Sequence, residues 1–136
     1  MGTTNFDAIQ ATSIAAALTS YPAAARTATA AGDGTGVIAD AGMLQFVTVT
    51  SDNAAKIITL PTPTPGTIVI LRNGATGYEL RSSAPATVAI NGGAAANAES
   101  AIGASTMVIA VCTSATTWQA IGIAGATLAG VEAAAA

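Results

Sequence analysis

The sequence has no histidine, one cysteine and very few charges, and each shortage removes a class of function. Without histidine the usual zinc sites, Ser-His-Asp triads and Cys-His dyads cannot be assembled. A single cysteine, Cys112, cannot close an intrachain disulfide. It stands in the apolar run 107–112, where a thiol reads as a small buried hydrophobe. Charged residues make up 8% of the 136, against roughly a quarter in ordinary soluble proteins. The cations Arg26, Lys56, Arg72 and Arg81 are scattered and the net charge is -3. With no basic stripe to follow a phosphate backbone, nucleic acid is not an expected partner. Aromatics are 4% of the chain and dispersed, which disfavours a stacking platform for sugars. No apolar run approaches the roughly 20 residues of a membrane span, so no membrane partner is expected. No Lys or Arg precedes Arg26, so the basic start of a secretory signal is missing. The chain is expected to be made in the cytosol and to stay soluble.

The acids offer little more. Asp33 and Asp40 flank a glycine-rich turn, and Glu79 follows Tyr78. Seven separated carboxylates read as surface charge rather than as the acid pair of a glycosidase. The stretch 32–36, Gly-Asp-Gly-Thr-Gly, lacks the lysine of a phosphate-binding loop and reads as a turn. Calcium at Asp33 would need more oxygen ligands than its neighbours supply. The expectation is a non-enzyme with no catalytic residue, no metal and no cofactor.

What the chain does contain divides it in three. Residues 1–36 begin with a helix-start pattern, Thr4-Asn5-Phe6-Asp7. Large apolar residues follow at Ile9, Ile14, Leu18 and Tyr21 on two weak helical stripes, and Pro22 ends the segment. The small residues of 23–36 read as a flexible Ala/Gly/Thr linker. Phe6, Ile9, Ile14, Leu18 and Tyr21 are therefore the candidate docking residues of an N-terminal helical or extended arm. An ordinary helix packed on its own sheet fits them equally.

From 37 to 124 the pattern becomes short β runs separated by turns. Strands are expected at 43–50, 56–60, 67–71, 78–81, 87–90, 105–113 and 116–124. Pro61, Pro63 and Pro65 make a stiff crossing, and Asn73-Gly74, Thr76-Gly77 and Asn91-Gly92-Gly93 mark turns. The expected fold is mainly β, an antiparallel sandwich or barrel-like domain. Residues 125–136 read as a flexible tail. Two strands are apolar on both faces. Ile68 and Ile70 alternate with Val69 and Leu71, and Met107, Ile109 and Val111 alternate with Val108, Ala110 and Cys112. An antiparallel sheet normally shows one face to water, so a second layer is required, and the shortage of charge favours another copy of the chain. Ile68, Ile70, Met107, Ile109, Val111 and Trp118 are thus candidates for core or subunit interface.

The ordered series Phe46-Val47-Thr48-Val49-Thr50, Ile58-Thr59-Leu60-Pro61, Pro65-Gly66-Thr67-Ile68-Val69-Ile70, Asn73-Gly74, Ala89-Ile90-Asn91-Gly92 and Thr113 to Trp118 resembles a pattern in virion proteins of tailed bacteriophages. It is similar to head decoration (cement) and head-fibre proteins over residues 43–122. The resemblance implies a homotrimer on the outer capsid surface, binding the major capsid protein and stabilising the shell, with no catalytic residues to carry over. The competing readings are a head or tail fibre module that binds a receptor or glycan, and a small carboxylate hydrolase. A fibre shaft normally shows internal repeats, and none is evident in the sequence.

Overall fold

The computed structural model describes residues 23–124. The candidate arm residues Phe6, Ile9, Ile14, Leu18 and Tyr21, and the tail 125–136, lie outside the described residues. The protein is mainly β, with nine strands and one 3-10 turn, Gly34–Gly36, among the described residues. The strands are β1 (Ala23–Thr27), β2 (Leu44–Thr50), β3 (Ile57–Thr59), β4 (Ile68–Asn73), β5 (Tyr78–Arg81), β6 (Ala89–Ile90), β7 (Glu99–Ile102), β8 (Thr106–Ser114) and β9 (Thr117–Ala124). They form a six-stranded sheet A, ordered β1-β2-β4-β8-β9-β6, and a three-stranded sheet B, ordered β3-β5-β7.

The first half of the described chain winds like a coil. β1, β2 and β4 are parallel neighbours in sheet A, with Ala23 opposite Phe46 and Phe46 opposite Ile70. Between them the chain crosses to the other layer. Thr29 and Val37 bridge to Ile57 and Thr59, and β3 pairs in parallel with β5. The first turn reaches the second layer through those two bridges and each later turn contributes one strand to each layer, in the manner of a solenoid. The second half closes the coil. β7 turns back against β5, and the β8–β9 hairpin caps β4 in antiparallel register.

Period-two alternation decides which side chains go inward. Val47 and Val49 of β2, Val69 and Leu71 of β4, and Val108, Ala110 and Cys112 of β8 meet Ile58, Leu60, Tyr78 and Leu80 in one cluster, with Trp118 fully buried among them. Each large apolar side chain so buried is worth about 1.5–3 kcal/mol of transfer free energy. Trp118, a candidate for core or interface, belongs to the core.

Two expectations need correction. Antiparallel pairing holds for β4–β8, β5–β7 and β8–β9, but β1–β2, β2–β4, β3–β5 and β6–β9 are parallel. A turn dipeptide shows that the chain reverses or bends, not whether it stays in its sheet. Here Asn73-Gly74 and the proline crossing turn corners between layers. Within sheet A, the two residues between Ser114 and Thr117 join β8 to β9 as a hairpin, and Asn91-Gly92 makes a tight reversal in which Ile90 and Gly93 exchange backbone hydrogen bonds at 3.0 Å. Second, residues 23–36 are no linker. β1 is a paired strand, Ala28 is buried, and Thr29 exchanges backbone hydrogen bonds with Ile57 at 3.1 and 2.7 Å. Gly32 and Gly36 serve close approach to Ile57. A Cβ on Gly36 would stand 2.9 Å from the Ile57 carbonyl oxygen. Residues 23–36 therefore belong to the β fold together with 37–124.

Candidate functional site

Sheet A is twice as wide in strands as sheet B, and its other face carries the two-sided pattern outward. The register aligns Phe46, Ile70, Ile109 and Ile121 in one row across β2, β4, β8 and β9. On one side, about 7 Å away along the strands, lies the row Leu44, Ile68, Val111 and Gln119. On the other lies Thr48, Arg72, Met107 and Ile123. Nine of these positions are large and apolar, and Arg72 is the one charged residue. Ile121 is 67% exposed, Ile123 50%, Phe46 43% and Met107 41%, while Ile68, Ile70, Ile109 and Val111 are half-buried by their neighbours. The residues singled out from the sequence, Ile68, Ile70, Met107, Ile109 and Val111, thus come together on one surface. Ile121 and Ile123 were not singled out. Their signal was present: beyond the buried Trp118, they alternate on β9 with Ala120 and Gly122, so the larger side chains of that half of the strand fall on the outer side.

Asp33, Asp40 and Asp52 each have separate partners, and Glu79 and Glu99 lie near each other on adjacent strands of sheet B. The Asp33 carboxylate accepts the Thr29 hydroxyl at 3.0 Å, and its backbone N–H donates to the same hydroxyl at 3.0 Å. Asp40 accepts the Thr62 backbone N–H at 2.8 Å, which anchors the start of the proline crossing. On the outer side of sheet B, Arg81 pairs with Glu99 and donates to the Ala31 carbonyl at 3.2 Å. Partial burial, with the Glu99 charge nearby, pushes the Glu79 carboxyl above its ordinary value. At the β2–β3 corner Lys56 pairs with Asp52 at 2.8 Å, and that partner holds the Asp52 carboxyl below the usual range. These are the contacts of structural ion pairs and turns. Among the described residues no three His, Cys, Asp or Glu side chains are grouped to hold a metal ion. Burial pushes the Cys112 thiol up, and its sulfur donates to the Ser114 carbonyl at 3.1 Å, so the residue sits as a core hydrophobe.

Where sheet B ends, the layers part. A cleft of about 380 Å³ opens between β5–β7 and β8–β9, lined by Leu80, Ile102, Val108 and Ala120 with Ser100 and Thr106. Among the described residues no helix is long and apolar enough to cross a membrane. No protein-family description, no curated protein and no solved structure matches the chain.

Proposed function

We propose that the protein is a non-enzymatic structural subunit of a bacteriophage virion, a homotrimeric decoration protein that binds the major capsid protein on the outer surface of the head and stabilises the shell. The β body is read as a sandwich-like unit, and the N-terminal arm as its grip on the shell. The observation that carries the reading is the apolar outer face of sheet A. A charge-poor chain with nine large apolar residues on one sheet face is built to be covered by protein, since an apolar patch of that kind left open promotes aggregation. Three copies would present three weak docking surfaces to three shell subunits, and linked weak sites gain from effective concentration. Bridging neighbouring capsid subunits then resists pressure from the packaged genome.

The test is stoichiometric. In purified virions the copies of this chain should track the major capsid protein in a fixed ratio. A few copies per particle would favour the fibre reading, and absence from the particle would refute both. Deleting residues 1–22 should leave a folded β protein that no longer binds capsids. Retained binding would move the grip to the β body.

A further inference from the structure

We infer that the occupant of the apolar face of sheet A is other copies of this chain, and that the capsid protein binds elsewhere. This rests on the reading above and names the partner of that face. Three observations carry it.

The first is chemical. The face is aliphatic through its centre, where Ile70, Ile109 and Ile121 stand in register, and its flanks add Met107, Ile123, Ile68 and Val111. Surfaces that meet only after each partner has folded alone are about as apolar as the rest of a protein, whereas permanent self-interfaces resemble a core cut in half. This face belongs to the second kind.

The second is kinetic. A shell-binding surface must wait in water until a capsid is ready. With charged residues at 8% of the chain, little else keeps the protein dispersed during that wait. Only another copy of the same chain is present from the moment of synthesis and at matching concentration.

The third is size. Four strands at about 4.8 Å spacing and three rows about 7 Å apart give, with side-chain margins, a patch on the order of 400 Å², apolar except for Thr48, Gln119 and Arg72 at its edges. A standard interface takes about 800 Å² per partner, built as an apolar centre within a polar rim. Thr48, Thr50, Thr113 and Gln119, which surround the centre and are exposed, supply that rim.

The test uses the full chain. Light scattering on the wild type at micromolar concentration should give the mass of three copies. Ile121→Asp should weaken association by at least about a hundredfold, because assembly would then bury an unpaired carboxylate. Its far-ultraviolet circular dichroism should stay unchanged, since residue 121 is 67% exposed in the single chain. Should that variant fail to fold, Ile121→Cys provides the second measurement. A maleimide should label it slowly in the assembled protein and fast after dilution. An Ile121→Asp protein that remains trimeric would overturn the inference and leave the virion reading standing. A monomeric wild type with a freely reactive Cys at 121 would also overturn it. A trimer lost through Ile121→Asp, in a protein absent from virions, would uphold the inference and sink the virion reading.

Discussion

Replacing Asn73 by alanine should destabilise the protein more than any other change to a single polar side chain among the described residues. Asn73 ends β4, is 4% exposed and touches three separate segments. Its Nδ2 donates to the carbonyls of Thr76 at 2.8 Å and Gly103 at 2.9 Å, and its Oδ1 accepts the Thr106 backbone N–H at 2.9 Å. One side chain thus ties the end of sheet A to the β4–β5 corner, the β7–β8 loop and the start of β8. Alanine leaves the Thr106 N–H without its acceptor in a buried place, at about 1–3 kcal/mol, and removes two further bonds worth about 0.5–1.5 kcal/mol each. A total near 3 kcal/mol is a large part of the roughly 5–15 kcal/mol that holds a typical domain. With a urea slope of about 1–3 kcal/mol/M the midpoint should fall by about 1–3 M. Protein concentration must be held fixed, because association adds to apparent stability.

Asn73→Asp separates the donors from the acceptor. The carboxylate still accepts from Thr106 but turns an oxygen toward two carbonyls that had received N–H groups. Its charged form is disfavoured in the fold, so its folded pKa lies above the unfolded value. Stability is then retained at low pH and lost as pH rises through the window between those two values. Urea midpoints for the aspartate variant should therefore fall between pH 4 and pH 7 relative to wild type. An alanine variant within about 0.5 kcal/mol of wild type, or an aspartate variant with no such pH dependence, would refute the claim that this side chain fastens the three segments.

Trp118 is fully buried and its Nε1 has no hydrogen-bond partner, so Trp118→Phe should cost clearly less than the roughly 3–5 kcal/mol of Trp118→Ala; as the sole tryptophan, its native fluorescence should resist acrylamide quenching. Gly77→Ala should lower the melting temperature sharply, because the new Cβ would stand 2.4 Å from the Ile102 carbonyl oxygen, while Gly74→Ala, with nothing within 4 Å, should leave it unmoved. Glu79, whose carboxyl is raised in the fold, withdraws stability as pH climbs past 4.5, so Glu79→Gln should raise the unfolding midpoint at pH 7 and leave it unchanged well below pH 4.5.

The strands themselves were legible in the sequence because alternation is a local property. β5 is read to the residue and β2, β4, β8 and β9 to within a residue or two, since β2, β4, β5 and β8 each have a buried set two positions apart and β9 follows β8 across a short turn. β1 and β7 were not read. Ala-Ala-Ala-Arg-Thr and Glu-Ser-Ala-Ile carry little hydrophobic contrast, and pairing with β2 and β5 holds them. The parallel coil was also hidden, because register between turns of chain depends on residues more than twenty positions apart. Asn73-Gly74 shows the limit well. It reads as a hairpin signal, yet Gly74 has no positive φ and Asn73 works through its side chain. The candidate face was half legible: two-sided strands announced that a second layer was needed. The row formed by Ile70, Ile109 and Ile121 required the pairing of three strands to become visible.

The distribution of charge over the two sheets carries the argument one step further. Among the described residues the ion pairs Lys56–Asp52 and Arg81–Glu99, with Glu79, all lie on sheet B or its corners. The outer face of sheet A has Arg72 alone, at its margin. A body with one wettable side and one apolar side has a preferred way to assemble: sheets A inward around a common axis, sheets B toward solvent. In that arrangement no further copy can add, because a closed ring leaves no apolar face to offer. The strand by which the chain enters the described fold, β1, is the edge strand of sheet A. The points of entry of three chains would then lie along the margins of the self-interface, away from the outward face of sheet B. Residues 1–22 of the three copies would then be joined to three equivalent positions on that margin, so that one trimer brings three linked copies of the segment to a shell, as multivalent docking needs.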